Sequence, residues 1–184
     1  KMALASFGMT KVDLAGSAAE AIGRIKAVAY DIIICDYNLG DGRDGQQLLE
    51  EMRHDFLIGL DTVFLMVTAE SVYERVVAAA ELAPDDYLIK PFNGEILRTR
   101  LEAILAKKEA FADVYRSFAK GDLEASMAAC DLLMKKQPKF FVDALRFKGE
   151  VLVAMGNFTG AEAIYKEIMA MRAVPWSRLC LARA

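Results

Sequence analysis

Three short apolar runs in the first half of the chain each end at a different polar side chain, and they constrain the fold more than any other feature. The runs span residues 32–35, 63–67 and 87–89, and they close on Asp36, Thr68 and Lys90, respectively. Runs that are almost wholly apolar are typical of strands covered by helices on both faces of a parallel sheet. Because parallel strands end at one edge, we expect the carboxylate, the hydroxyl and the ammonium to lie along that edge, where open α/β folds bind ligands.

Helix signals separate these runs. The sequence S-x-x-E, which is the spacing of a capping box at the start of a helix, occurs at residues 17–20 and again at 71–74. Apolar residues at helical spacing predict two more helices. Alternation of strands and helices predicts an α/β layer architecture. The predicted elements are a strand at 11–15 and helices that begin at about 17, 46, 71 and 93, the third of which runs to about residue 82.

The pattern changes at about residue 111, after which every segment is predicted as helix. Gly121 and Gly156 interrupt the helical stretches 35 residues apart, close to the period of about 34 residues in helix-turn-helix repeats. The second stretch resembles a tetratricopeptide repeat through Leu145, Gly149, Leu152, Ala161 and Tyr165. The first stretch ends at Pro138, although Ser126 and Cys130 replace the usual alanine and aromatic residue, and Trp176 and Leu179 resemble the opening of a third copy. A simple helical bundle is the alternative.

Composition is consistent with two packed domains. Hydrophobic residues make up 55% of the chain and charged residues 27%, so it can build cores. The net charge of −3 provides no basic field for nucleic acid. The apolar runs are too short to span a membrane, and three cysteines without metal-type spacing favour a reducing, cytoplasmic compartment. We predict an α/β domain over residues 1–107 and, over residues 108–184, about two tetratricopeptide-like repeats with the start of a third.

The three strand ends carry the chemistry of a phosphoryl acceptor. An aspartate can form an acyl phosphate, and a nearby ammonium and hydroxyl can bind the phosphoryl oxygens. The motifs I-I-I-C-D-Y-N-L, V-F-L-M-V-T-A-E and D-D-Y-L-I-K-P-F place the three polar residues 32 and 22 positions apart. With these motifs, residues 8–107 resemble the receiver domain of two-component response regulators, of the chemotaxis-regulator type. The resemblance implies a flavodoxin-like, doubly wound parallel sheet with strand order 2-1-3-4-5.

The resemblance also implies a role for single residues. Asp36 matches the phosphoacceptor, which receives its phosphoryl group from a histidine kinase or a phosphotransfer protein. Asn38 matches the position whose backbone carbonyl binds Mg²⁺ together with Asp36. The remaining matches are Thr68 as the hydroxyl that moves toward the phosphoryl group, Lys90 as the amine that pairs with it, Lys90-Pro91 as a peptide bond that is usually cis, Tyr87 as the aromatic switch and Glu70 as a position that tunes dephosphorylation.

Two departures from the family pattern stand out. Receivers begin with a strand that ends in a pair of acidic Mg²⁺ ligands, and this chain shows no such strand. We expect the acidic pair before Lys1; the alternative is a receiver that lacks its central strand. The loop after Asn38 has Gly40 where many receivers have proline, and Gly45 falls one residue later than usual. Asp41 and Asp44 are predicted to be charges in a solvated loop.

The resulting functional hypothesis is a phosphorylation switch. The receiver would catalyse only its own phosphotransfer and dephosphorylation, and it would signal through a protein partner bound to the helical repeats or through a second copy of the chain. A helix from about residue 93 through Lys108 would couple the two domains. One alternative is a constitutive scaffold with a degenerate receiver. Another, a metal-dependent phosphatase with Asp36 as nucleophile, would need an acid where Asn38 stands.

Overall fold

The computed structural model describes residues 4, 7–40, 42–69 and 83–171, and the chain divides into two compact units, Lys1–Ala106 and Lys107–Ala184. The predicted helix at 71–82 and the predicted third repeat at 176–179 lie outside the described residues. Elements that begin in the first unit are α1 (Ala18–Ala27), β1 (Ile32–Asp36), α2 (Gly45–His54), β2 (Val63–Ala69), β3 (Asp86–Lys90) and α3 (Gly94–Ala110).

The three strands form a parallel sheet in the order β1-β2-β3. Asp36, the last residue of β1, lies opposite Val67. Lys90, the last residue of β3, lies opposite Ala69, the residue after Thr68. The register therefore brings the acid, the hydroxyl and the amine to one edge of the sheet, as the three apolar runs predict.

Helices pack on both faces of this sheet because β2 presents apolar side chains to both. Phe64 and Met66 belong to a buried cluster with Leu48, Leu49 and Met52 of α2. Val63, Leu65 and Val67 belong to a second cluster, which contains Leu97, Leu101 and Ile104 of α3. A parallel three-stranded sheet between helical layers is consistent with a flavodoxin-like receiver fold.

Residues 11–15, which were predicted as a strand, form none in the structure. In the expected order 2-1-3-4-5 the second strand pairs only with the first, and no first strand is present among the described residues to supply its hydrogen bonds. The capping box at Ser17 is also modified. Ser17 Oγ accepts from Glu20 N at 3.2 Å, but Glu20 Oε2 accepts from the amide of Gly16, at 2.8 Å, one residue earlier than predicted.

Every described element that begins in the second unit is helical. A cluster of buried side chains joins the helices Phe141–Ala154 and Phe158–Ala170 and includes Leu145, Leu152 and Tyr165. Ring contacts join Phe111 and Tyr115 to Phe147. The elements are α4 (Ala112–Ala119), α5 (Leu123–Lys136), a 3-10 turn (Pro138–Phe140), α6 (Phe141–Ala154) and α7 (Phe158–Ala170).

The turns between α4 and α5 and between α6 and α7 are alike. Gly121 and Gly156 have φ values of 75° and 74°, a left-handed conformation that favours glycine at a helix end. The next residue caps the following helix in both turns: Asp122 accepts from Ala125 N at 3.0 Å, and Asn157 accepts from Gly160 N at 2.9 Å. Two helical pairs thus share one turn geometry 35 residues apart.

No helix within the described ranges combines the length and the apolar character that a membrane crossing requires.

Candidate functional site

Asp36 and Lys90 form an ion pair at the carboxyl edge of the sheet. Lys90 Nζ contacts Asp36 Oδ2, and both side chains are partly exposed. The other carboxylate oxygen, Oδ1, accepts a hydrogen bond from Asn38 N at 3.2 Å. The peptide bond that follows Lys90, Lys90-Pro91, is cis. A carboxylate and a cation are thus in contact where solvent can reach them.

Thr68 lies on the central strand between these two residues and is almost fully buried. Its hydroxyl donates to the carbonyl of Ala69 at 3.3 Å, which is long for an O–H···O hydrogen bond. Replacing this weak hydrogen bond with one to a stronger acceptor therefore costs little free energy. Tyr87 on β3 is partly buried and packs against the cluster that α2 forms with the sheet. Glu70 and Asp41 lie outside the described residues.

The loop after Asp36 is closed by hydrogen bonds at its base. Asn38 and Asp44 form an antiparallel bridge, and Gly45 N donates to Tyr37 O at 2.6 Å. Asp44 caps α2: its Oδ1 accepts from Gln47 N at 2.8 Å, while Asp44 N donates to Gln47 Oε1 at 3.1 Å. The prediction that Asp44 is a charge in a solvated loop is wrong, because the carboxylate is engaged in the first turn of α2.

Asp44 and Tyr37 are therefore candidate site residues that the sequence reasoning missed. Asp44-Gly-Gln-Gln47 has the D-x-x-Q spacing of a capping box. The same rule predicted a helix start at Ser17, so it could also have predicted one at Asp44. No pattern in the sequence indicated that the Tyr37 hydroxyl would reach Asp44.

A cavity of about 430 Å³ lies beside β1. Residues 13–17 and α1 form one wall, β1 forms the other, and the cavity extends to Asp36 and Asn38. In the described part of the chain, this edge of β1 has no strand partner, because β1 pairs with β2 alone. The cavity thus adjoins both an open strand edge and the acidic end of the sheet.

The ligand atoms at this edge are of a type that suits Mg²⁺, but there are few of them. Carboxylate oxygens of Asp36 and the Asn38 backbone carbonyl are hard oxygen ligands, which Mg²⁺ prefers. No group of three or more metal-binding side chains occurs in the residues that the structure describes. Mg²⁺ commonly keeps several waters and binds through one or two carboxylates plus a phosphate, so Asp36 and Asn38 can supply part of a site.

Cys35 precedes Asp36, but its thiol is not a candidate nucleophile at this site. It is buried, and its Sγ contacts the Asp36 carbonyl at 3.2 Å. Burial, with smaller effects from the negative charges of Asp36 and Asp44, raises the pKa of the Cys35 thiol to about 12. A thiol with so high a pKa is a poor nucleophile at neutral pH.

Comparison with known proteins places these features in a family. The family model "Response regulator receiver domain" matches residues 1–102. The two-component response regulator PhoP of Pseudomonas aeruginosa is 30% identical over 127 residues, which cover 69% of this chain and 54% of PhoP. Regulatory protein VanRB of Enterococcus faecalis is 36% identical over 106 residues, covering 58% and 46%. Chemotaxis protein CheY of P. aeruginosa is 29% identical over 107 residues, covering 58% and 85%.

The matched part thus spans about half the length of PhoP and VanRB. Among solved structures, a chain described as a yeast Spc42 trimeric coiled-coil segment fused to another structure aligns with a TM-score of 0.50 and 25% identity. This alignment covers 67% of this chain and 80% of that chain.

Proposed function

Because the chain belongs to the response regulator receiver domain family, we propose that Asp36 accepts a phosphoryl group from a histidine kinase or a phosphotransfer protein. The contact between Asp36 and Lys90 carries this proposal. The supporting geometry is a carboxylate beside a cation at an accessible sheet edge, with the Thr68 hydroxyl on the strand between them. We also propose the other residue roles that the family resemblance implies, including the aromatic switch at Tyr87.

In the transfer step, a carboxylate oxygen of Asp36 attacks the phosphorus of a phosphohistidine. A P–O bond forms as the P–N bond breaks, and its electron pair stays on the imidazole of the donor. Lys90 then pairs with a phosphoryl oxygen instead of Asp36 Oδ2. The added charge and acceptor oxygens also favour donation from Thr68, which would exchange its long bond to Ala69 for a bond to a phosphoryl oxygen.

We propose that Mg²⁺ is held by Asp36, by the Asn38 carbonyl and by an acidic pair on a strand that precedes Lys1. The cavity beside β1 supports this proposal, since it adjoins an open strand edge and ends at Asp36 and Asn38. When bound, Mg²⁺ would neutralise charge on the phosphoryl oxygens.

For the output, we propose that the helical unit is a tetratricopeptide-like module that binds a protein partner. The two similar turns support this proposal. So does burial at positions 35 residues apart: Ser126 and Ala161 are both fully buried, as are Cys130 and Tyr165. Association with a second copy of the chain is the other output we propose.

Labelling with acetyl phosphate and Mg²⁺, followed by mass spectrometry, tests the phosphoacceptor. Two forms are compared: the chain itself, and the chain preceded by an apolar strand that ends in two acidic residues. We expect labelling at Asp36 to be stronger in the extended form and to be lost in Asp36→Asn. Asp31→Asn is the matched control, because Asp31 precedes the same strand at its opposite end. Absence of labelling in both forms would falsify the proposal.

The constitutive scaffold remains the second candidate function. It is favoured by the lack of a three-ligand metal cluster among the described residues. A scaffold would bind the same partner with equal affinity with and without Asp36→Asn, and it would show no labelling in either form of the chain.

A further inference from the structure

We propose that Asp44 is a positioning residue, which holds the loop after Asp36 closed and thereby fixes the Asn38 carbonyl relative to the phosphoacceptor. This inference rests on the proposed function of Asp36, which it deepens. The Asp44 clasp is defined here as Asp44 with Tyr37 and Gln47, the two residues that its side chain joins.

Both oxygens of the Asp44 carboxylate are used. Oδ1 accepts from Gln47 N at 2.8 Å, and Oδ2 accepts from the Tyr37 hydroxyl at 3.1 Å. The backbone amide of Asp44 donates to Gln47 Oε1 at 3.1 Å. One side chain thus ties the strand end, through Tyr37, to the first turn of α2, through Gln47.

The backbone on either side of the clasp is also fixed to the acceptor strand. Tyr37 N donates to Val67 O at 2.7 Å, and Tyr37 O accepts from Gly45 N at 2.6 Å. A Cβ on Gly45 would lie 2.6 Å from Asp36 O. Only glycine permits so close an approach, so the start of α2 is held directly against the backbone of the acceptor. Asn38 lies between these fixed points and bridges to Asp44.

The loop that the clasp closes is costly to order. Gly40 and Gly42 have φ values of 76° and 86°, and glycine loses more conformational freedom on ordering than any other residue. The Asn38 side chain is occupied within the loop, because its Oδ1 accepts from Gly40 N at 3.2 Å. Its backbone carbonyl is the group proposed to bind Mg²⁺. Because Asn38 is paired with Asp44 in the bridge, the clasp would limit where that carbonyl lies. Loss of the clasp would let the loop move, and the Asn38 carbonyl would then be held less precisely.

The alternative role for Asp44 is purely electrostatic, as one more negative charge near the acceptor. The two roles predict different results for Asp44→Asn: behaviour like the wild type for positioning, and behaviour like Asp44→Ala for charge. This variant removes the charge but keeps an oxygen for Gln47 N and gains an amide that can donate to the Tyr37 oxygen. A positioning role is rescued by asparagine, whereas a charge effect is not.

The test compares Asp44→Ala, Asp44→Asn and Tyr37→Phe in the full chain preceded by the strand with two acidic residues. Asp122→Ala is the matched control, because it removes an aspartate cap of the same kind at α5, in the other unit. Two readouts are measured: hydrogen exchange of the amides at residues 37–45, and the Mg²⁺ concentration that gives half-maximal labelling of Asp36 by acetyl phosphate.

For Asp44→Ala we expect exchange at residues 37–45 to rise about tenfold, as for the loss of an N-cap. Half-maximal labelling should need about tenfold more Mg²⁺, which is the usual effect of removing a group that orients a metal ligand. The labelling rate at saturating Mg²⁺ should change little. Tyr37→Phe should show a smaller shift, and Asp44→Asn and Asp122→Ala should match the wild type in both readouts.

The outcomes separate this inference from the function on which it rests. If the wild type is not labelled, the phosphoacceptor proposal fails, while the exchange data still test the clasp. Unchanged exchange in Asp44→Ala overturns the clasp. A Mg²⁺ requirement that shifts equally in Asp44→Ala and Asp44→Asn overturns the positioning role in favour of charge.

Discussion

Asp36 and Lys90 are 54 residues apart in the chain, and their contact follows from one rule about parallel strands. Each is the last residue of its strand, so a parallel register brings both to one edge. The sequence is sufficient to predict this placement, because the apolar runs mark both the strands and the points where they end. It does not indicate that the two side chains are paired with each other.

Asp44 shows where residue patterns stop being sufficient. Its spacing from Gln47 is visible in the sequence, and it predicts a capped helix. The bond from Tyr37 depends on how the loop folds back, which requires left-handed conformations at Gly40 and Gly42. Such closure is a property of the folded loop, and residue types alone do not specify it.

The Cys35 thiol gives a prediction with a defined pH dependence. Because burial raises its pKa from an ordinary value near 9 to about 12, almost all of this thiol is protonated at pH 8. We expect iodoacetamide to alkylate Cys35 in the folded chain at least about a hundredfold more slowly than in urea. Peptide mass spectrometry gives the rate at this cysteine separately.

The sign of the linked stability effect is also defined. The folded pKa lies above the unfolded value, so the contribution of this thiol to the free energy of unfolding is complete below about pH 9 and is lost as the pH rises toward 12. Rapid alkylation of Cys35 at pH 8 under native conditions would contradict the burial and the raised pKa together.

At the scale of elements, the sequence predicts helices and strands well wherever an element carries its own pattern. Helix α2 was predicted to begin at about residue 46 and spans Gly45–His54. The strand expected at 11–15 was wrong, because a strand needs a neighbour for its hydrogen bonds as well as a suitable sequence. The pattern of one segment contains no information about whether that neighbour is present.

Helices α6 and α7 pack so closely that one added methyl group between them should lower stability. A Cβ at Gly149 would lie 2.7 Å from Cε1 and 2.9 Å from Cζ of Tyr165, whose ring is buried. We expect Gly149→Ala to lower the free energy of unfolding of the helical unit by about 1–3 kcal/mol, the usual cost of overpacking. Urea unfolding followed by circular dichroism measures the change.

Gly23→Ala in α1 provides the control for that substitution. A Cβ at Gly23 meets no atom within 4 Å, so alanine should stabilise the chain by up to about 1 kcal/mol through helix propensity. Replacing Tyr165 with leucine in the Gly149→Ala background should recover part of the loss, since the shorter side chain removes the ring from the contact. Equal stability of Gly149→Ala and the wild type would show that the two helices can move apart at no cost.

At the scale of the whole molecule, the change from alternating strands and helices to helices alone indicates two parts, and the chain divides at Ala106. Helix α3 carries residues of both units. Leu97, Leu101 and Ile104 are buried in the first unit, whereas Lys107 pairs with Asp143 of α6 in the second. The sequence predicts this continuous helix because neither proline nor glycine occurs between residues 95 and 120. Whether the helix transmits a signal depends on energies that no sequence pattern reports.

Each unit contains a buried cysteine, and the pair can test this transmission. Burial raises the pKa of Cys130 in α5 to about 12, as it does for Cys35, so both thiols react chiefly when their own unit opens. A ligand that binds only the folded state slows such opening. Beryllofluoride, bound at Asp36 as a phosphoryl mimic, should therefore slow the alkylation of Cys35 in the form of the chain that carries the added acidic strand.

The response of Cys130 decides whether the two units are coupled. If α3 transmits the state of Asp36, beryllofluoride should also slow the alkylation of Cys130, by about fivefold or more for a coupling free energy of 1 kcal/mol. Asp36→Asn should abolish both effects, because the mimic then has no carboxylate to bind. Protection of Cys35 without any change at Cys130 would mean that the units respond independently. The helical unit would then be a docking module whose stability does not register phosphorylation, and a switch would have to act through the surface of the receiver itself.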